Sequence, residues 1–259
     1  MDSGCSFPNI IGHSKAIKET FFLMNQAIET DMDILITGET GTGKELVARE
    51  IHDHSLRRDK YLFAINCGAA PKEVLLSELF GHHKGAFNGA IEDKAGVFEV
   101  AEGGTVLMDD ISSLPLDVQP NLLAILKDRK VQRMGENTLR DVNMRVIAIS
   151  NRDMPREMKT GRFREDLYDR LSRFHIHLPP LRQRLDDIPL LAEHFYRQAC
   201  SQMLIASDGF APGVMDMLQR YPWPGNVREL RNGIRQACML VQHGKRIQRH
   251  HFSSQINEK

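Results

Sequence analysis

Asp33-Ile34-Leu35-Ile36-Thr37 runs without a break into Gly38-Glu39-Thr40-Gly41-Thr42-Gly43-Lys44, and then into Glu45-Leu46-Val47-Ala48-Arg49-Glu50-Ile51. A short apolar run that gives way to three glycines and a lysine, followed by a helical pattern, predicts a strand, a tight loop and a helix. Glycine allows the positive φ values that turn successive backbone N–H groups inward, where they cradle an anion. The helix starting near Gly43 directs its positive dipole end at the same spot, and Lys44 adds a mobile charge for the outer phosphates. Phosphate binding is therefore expected from Gly38, Glu39, Thr40, Gly41, Thr42, Gly43, Lys44 and Glu45. Loops of this kind usually follow the lysine with a Ser or Thr that meets Mg²⁺. Here Glu45 follows, so a metal must rely on carboxylates elsewhere, on water and on the nucleotide.

With 259 residues, 41% hydrophobic and 26% charged, the chain has the composition of an ordinary soluble globule of one large or two small domains. No apolar run is long enough to span a bilayer, and no signal-peptide pattern opens the chain; a membrane role is not expected. Cys5, Cys67, Cys200 and Cys238 are scattered, which reads as reduced thiols in a cytoplasmic protein. A net charge of zero argues against global attraction to nucleic acid, although Arg and Lys crowd between Arg145 and Arg184 and again over 244–251. The histidine pairs, such as His52/His54 and His175/His177, lack the spacing and the companion ligands of a metal site.

Along the chain, residues 1–12 read as a loose lead. Ser14 is a candidate N-cap for an amphipathic helix with Ile17, Phe21, Met24 and Ile28 on one stripe. Residues 61–66 read as a strand and 73–80 as a helix. The stretch 81–90 places the lone aromatic Phe87 among glycines, which predicts a mobile loop with Phe87 near its tip. Residues 103–110 form a buried strand that ends in Asp109 and Asp110. In open α/β sheets ligands sit at that end of the strands, where one carboxylate can hold Mg²⁺ and its neighbour can orient water. A helix over 118–126 and strands over 144–151 and 174–178 follow. Alternating strands and helices predict a parallel sheet covered by helices on both faces. Beyond Arg184 the pattern is helices alone, over 188–203, 212–220 and 225–242. The domains expected are an α/β unit over 1–183 and a helical one over 184–259.

Three segments together resemble the central AAA+ ATPase module of bacterial enhancer-binding proteins, the activators of sigma-54 RNA polymerase. They are 38–45, then Glu78-Leu79-Phe80-Gly81 through Ala90, then Trp223-Pro224-Gly225-Asn226-Val227-Arg228-Glu229-Leu230. The resemblance runs from about Ile10 to His251. It implies a P-loop NTPase with a small all-helical lid, binding ATP and Mg²⁺ and working as a ring of copies of itself, a hexamer. It gives Asp109 the role of the Walker B magnesium carboxylate and places Asp110 where the family has its catalytic glutamate. Asn66 matches the asparagine that switches that acid, and Asn151 ends the sensor I strand. Arg164 and Arg170 match arginines that reach a neighbour's nucleotide, and Arg228 resembles the sensor II arginine of the lid. Phe87 and Asn88 fall in the loop that touches the sigma factor and its RNA polymerase. Glu45 after the lysine is normal for this family.

Two positions depart from the family pattern. Asn88 stands where the contact loop has threonine, and Asp110 stands where the Walker B acid is glutamate. Aspartate is shorter by one C–C bond, about 1.5 Å, so slow hydrolysis is expected. No receiver or sensing domain is recognisable before Ile10 and no helix-turn-helix after His251, so DNA would be reached only through a domain outside these residues. The first reading is an ATP-driven motor that remodels sigma factor–polymerase. The second is a nucleotide-gated or cyclic di-GMP-responsive assembly module with weak or no ATPase and no sigma-54 dependence. An unrelated AAA+ enzyme acting directly on DNA has no use for the Phe87 loop.

Overall fold

Strand β1 (Ile34–Thr37) is buried at all four positions because a parallel partner flanks it on each side. The computed structural model describes residues 7–242 and 244–257, so residues 1–6 of the expected lead lie outside the described residues. By compactness the chain divides into two units. Among the described residues, one holds Leu23–Thr37 and Lys44–His177; the other holds 7–22, Gly38–Gly43 and the chain from Leu178 onward. A single cut after residue 183 does not describe this division, because the phosphate-loop glycines group with the C-terminal residues. The first helix, α1 (Lys15–Ile28), has its first half in the second unit and its second half in the first.

In the first unit β1 is followed by α2 (Lys44–Asp53), β2 (Leu62–Asn66) and α3 (Lys72–Phe80). A short antiparallel pair, β3 (Gly81–His82) and β4 (Lys94–Ala95), encloses the loop with Phe87. Then come α4 (Val97–Val100), β5 (Thr105–Asp109) and α5 (Gln119–Asp128), and a hairpin of β6 (Lys130–Gln132) with β7 (Leu139–Asp141). The unit closes with β8 (Arg145–Ser150), α6 (Met154–Lys159), α7 (Glu165–Leu171) and β9 (His175–His177). Five strands pair in the order β2-β5-β8-β1-β9, every pairing parallel. Strand side chains alternate between faces. Leu35, Val106, Met108, Val146 and Ala148 accordingly join one core with residues of α3, α4, α5 and α7. The alternate residues Ile34, Ile36, Leu107, Ile147 and Ile149 are just as buried on the other face, which α2 covers. This is the α/β parallel sheet flanked by helices expected of an AAA+ P-loop NTPase.

The edge of the sheet opposite the strand ends is fastened by charge. Asp33 is buried and precedes β1; its carboxylate accepts from the Val146 amide at 3.0 Å and pairs with Arg129 at 2.8 Å and Arg170 at 3.2 Å. Arg145, also buried, donates to the carbonyls of Ala27 at 2.7 Å and Met32 at 2.9 Å.

The second unit is mainly helical: α8 (Ile188–Met203), α9 (Val214–Arg220) and α10 (Asn226–Leu240) pack around Trp223, which is fully buried and donates its indole N–H to the Leu218 carbonyl at 2.7 Å. The expectation of helices alone is corrected here. Ser207–Phe210 (β10) and Lys245–Ile247 (β11) form a parallel two-stranded sheet, completed by a Gly244 N–H bond to the Ala206 carbonyl at 2.8 Å. Ser14 caps α1 as expected, accepting from Ile17 N–H at 3.4 Å, and is itself held by the buried Asp187 carboxylate at 2.8 Å. Among the described residues no helix is long and apolar enough to cross a membrane.

Removing one partner of a buried charge cluster strands the rest. Asp33→Ala should therefore cost about 3–5 kcal/mol of folding stability, read as a lower urea midpoint at unchanged slope. A loss below about 1 kcal/mol, the range of exposed pairs, would contradict the account of this edge.

Candidate nucleotide site

Because all five strands run the same way, their C-terminal ends share one edge. Asn66 lies opposite Asp109 in register, and Thr37 lies opposite both Ser150 and His177. Asn151, exposed, follows directly on β8. The Thr37 hydroxyl is within 2.8 Å of His175 Nε2 and 3.1 Å of His177 Nδ1. Burial and the adjacent His177 hold the His175 pKa below its ordinary value. From Thr37 the chain enters the phosphate loop, and Lys44, buried, opens α2 on its return.

Asp109 and Asp110 play different structural parts. Oδ1 of Asp109 accepts the Asp110 amide at 2.9 Å, and Asp110 then takes a left-handed conformation (φ 51°, ψ 48°) that starts the turn Ile111–Ser113. The Asp110 carboxylate folds back onto that turn: Oδ1 accepts from Ser112 Oγ at 3.1 Å and Oδ2 from Ser113 Oγ at 2.6 Å. Ser113 Oγ in turn accepts from Arg152 Nη2 at 3.0 Å. A Cβ on Gly68 would lie 3.0 Å from Asp110 Oδ2, so a glycine there leaves the carboxylate its room. Asn66 directs its amide oxygen at the Gly68 N–H, 2.9 Å away, while the hydrogen bonds of Asp110 run to the two serines. Next to both acids the buried Cys67 thiol is pushed up to about 12 by burial and by the charges of Asp110 and Asp109. A half-buried, oriented carboxylate such as Asp109 fits a Mg²⁺ that takes its other ligands from phosphate and water.

In the second unit the phosphate loop is gripped by the segment that starts α10. Asn226, fully buried with φ 53°, donates from Nδ2 to the Thr40 carbonyl at 3.1 Å and to Glu39 Oε2 at 3.2 Å, and its Oδ1 accepts from Leu181 N–H at 2.8 Å. Arg182 makes a forked pair with Glu39 at 2.6 and 2.7 Å. The Arg228 amide donates to the Gly41 carbonyl at 3.2 Å, with the Arg228 side chain exposed. A Cβ at Gly41 would lie 2.3 Å from the Gly225 carbonyl oxygen, so this approach demands glycine. Thr42 donates its hydroxyl to the Glu39 carbonyl at 2.8 Å.

The two candidate trans-acting arginines separate. Arg164 is exposed and its guanidinium is held only sideways by Asp166, at 2.7 and 3.0 Å. Arg170 is engaged inside its own unit: Nη2 donates to the Leu126 carbonyl at 2.6 Å and pairs with Asp33, and burial lowers its pKa. Phe87 lies in the middle of the loop between β3 and β4, inside a turn closed by the Gly85 N–H to the Ala90 carbonyl at 2.8 Å. Its side chain is half-buried, with the ring against His82 at 5.0 Å, and the residues that follow it, Asn88 and Gly89, are exposed. The imidazole is itself fixed by Ser77 Oγ at 2.8 Å.

Sequence reasoning passed over Asn226, Arg182, Ser113 and Gln119. Asn226 carried a signal, since an Asn after Pro-Gly tolerates positive φ; the others bond to atoms distant in sequence.

Two family profiles cover the chain: one described as Sigma-54 interaction domain matches residues 10–177, and one described as AAA+ ATPase lid domain matches 182–259. The DNA-binding transcriptional activator HyfR of Escherichia coli is 46% identical over 92% of this chain and 36% of its own length. The transcriptional regulator NtrC of Azospirillum brasilense is 45% identical over 89% of this chain and 48% of its own. The regulatory protein ZraR of Salmonella typhimurium is 45% identical over 90% and 53%. The chain thus spans about half the length, or less, of these relatives. Among solved structures, NtrX from Brucella abortus in complex with ATP superposes with a TM-score of 0.88 at 31% identity, over 96% of this chain and 55% of that one.

Beside this edge, Glu157 is buried between Arg162, at 2.8 Å through both oxygens, and Arg152 at 3.5 Å. Hydrogen bonding to Arg162 leads the effects that lower its pKa to about 2 from an ordinary 4.5. A lowered carboxyl pKa stabilises the fold fully above the unfolded value and loses that contribution as pH falls toward the folded value. Glu157→Gln should therefore be less stable than wild type above about pH 4.5, with the gap closing toward pH 2. Urea midpoints against pH test this; a gap independent of pH would contradict it.

Proposed function

Since the chain belongs to the Sigma-54 interaction domain family and carries its AAA+ ATPase lid, we propose that it is the ATP-hydrolysing motor of a bacterial transcriptional regulator. Copies of the chain assemble into a ring, a hexamer, and remodel a sigma factor–RNA polymerase complex in the cytoplasm. DNA is reached through a part of the protein outside these residues. The observation that carries the reading is the shared edge: Asp109 ends β5 opposite Asn66 and Asp110 follows it, on the edge where β1 gives way to the phosphate loop.

The roles follow from the groups. Backbone N–H groups of Gly38–Gly43 and the charge of Lys44 hold the phosphates of ATP. Asp109 would hold a Mg²⁺ ion, which would supply positive charge to the phosphates. Asp110 orients the attacking water, and Asn151 and Arg228 take the sensor I and sensor II roles that the family resemblance gives them. Arg164, whose guanidinium is exposed and released by breaking one local pair, stabilises charge on a neighbour's transferred phosphoryl. Arg170 is the weaker candidate, because leaving its place would strand the buried Asp33.

A second reading has one specific support. Both oxygens of the Asp110 carboxylate accept from its own turn, which suits a slow, nucleotide-gated module. Such a module needs no sigma-54 contact, and here Asn88 occupies the exposed loop position while Phe87 is half-buried.

Subunit mixing separates the two. Arg164→Ala subunits bind ATP but donate no arginine; Lys44→Ala subunits donate but do not bind. Each alone should lose activity by about 10³-fold or more, and an equimolar mixture should recover a substantial part. Two inactive variants that stay inactive when mixed would refute donation in trans.

A further inference from the structure

Gln119, the first residue of α5, is fully buried, and its carboxamide is wholly committed to backbone groups of two other segments. Nε2 donates to the Leu114 carbonyl at 2.9 Å and to the Arg162 carbonyl at 3.0 Å, and Oε1 accepts the Arg164 amide at 2.8 Å. Leu114 directly follows the turn Ile111–Ser113, whose hydroxyls hold the Asp110 carboxylate. We propose that Gln119 is a positioning residue that seats the base of the donated arginine, Arg164, on the turn behind this subunit's own catalytic acid. The proposal rests on the reading that Arg164 acts on a neighbour's nucleotide.

The geometry around residues 162–164 is that of a fixed base and a released tip. The Arg162 side chain is locked on Glu157 through two bonds of 2.8 Å, and Phe163 is buried in the core of the first unit. Gln119 then holds the backbone on either side of Phe163, through the Arg162 carbonyl and the Arg164 amide. Arg164 is the residue preceding α7 and keeps an exposed side chain whose charged partner among the described residues, Asp166, lies two residues on. An arginine that must reach another subunit needs this arrangement: its long side chain carries the entropy, so its origin has to be fixed. No other side chain type replaces the amide. Glutamate loses both donors and places a charge in the core. Leucine and methionine leave the buried Leu114 carbonyl and the part-buried Arg162 carbonyl and Arg164 N–H without that partner.

The substitution Gln119→Met keeps volume and removes the three bonds. A positioning lesion should leave ATP affinity within about two-fold and lower kcat on the order of 10²-fold, as a displacement of about 1 Å does. The deciding readout is mixing. A neighbour's intact Arg164 should complete the Gln119→Met site, so an equimolar mixture with Lys44→Ala should recover as the Arg164→Ala mixture does. A mixture that stays inactive while the Arg164→Ala control recovers overturns the proposal and leaves donation in trans standing. A kcat near wild type for Gln119→Met also overturns it. Failure of the Arg164→Ala control removes the reading beneath the proposal, and the proposal with it. If Gln119→Met does not bind ATP and so reports misfolding, Gln119→Asn carries the same test, because it stays neutral and withdraws the carboxamide from its three partners by one C–C bond, about 1.5 Å.

Discussion

Parallel pairing of five strands is the constraint on which the rest depends. A parallel strand can be reached only by a crossover over one face, so every C-terminal end falls on the same edge. Residues far apart in sequence, Thr37, Asn66, Asp109 and Asn151, therefore end adjacent strands of one sheet. Register fixes them further: a slip of one residue would move Leu35 and Val106 from the face packed by α3, α4, α5 and α7 to the face covered by α2, and both cores would have to repack. The opposite edge is tied by Asp33 with Arg129 and Arg170. Chemistry and anchorage thus occupy opposite ends of the same strands.

That division bears on the arginines. Two residues that look equivalent in sequence, six positions apart on one segment, have different physical standing. Arg170 is one of two guanidinium groups neutralising a buried carboxylate, and moving it would leave Asp33 undercompensated. Arg164 has a local, exposed partner, and pairs of that sort add little to stability. The difference arises from where β1 begins, not from anything in the helix that carries them. Asp110 tells a similar story: its short side chain reaches the hydroxyls of its own turn, and a glutamate would carry its carboxylate about 1.5 Å past them. Ser112 and Ser113 therefore match an aspartate.

Much of the fold was legible in the sequence because its signals are long and periodic. The strand, glycine loop and helix around Lys44 appear as read, and the helix expected over 188–203 is α8 with the same limits. The two- and three-residue strands of the pairs β3/β4 and β6/β7 were not legible, since such short pieces have no period. The β10–β11 pair escaped for a further reason: its partners are separated by two helices and give no local cue. Among site residues, glycines and strand-end acids announced themselves by type and position. Gln119 and Ser113 did not, because a glutamine starting a helix and a serine in a turn look ordinary until their distant partners are known. The place of Phe87 in a loop was legible because sequence sets it among glycines; the His82 ring that shelters it, five residues away across a turn, was not.

The central claim is that hydrolysis belongs to the assembly and not to the single chain. ATP turnover per subunit, followed as protein concentration rises from a clearly monomeric sample, tests it most directly. The account predicts specific activity that climbs steeply as copies associate, since an arginine supplied from outside is worth about 10³–10⁵ in rate. Specific activity that stays constant down to the monomer would contradict it.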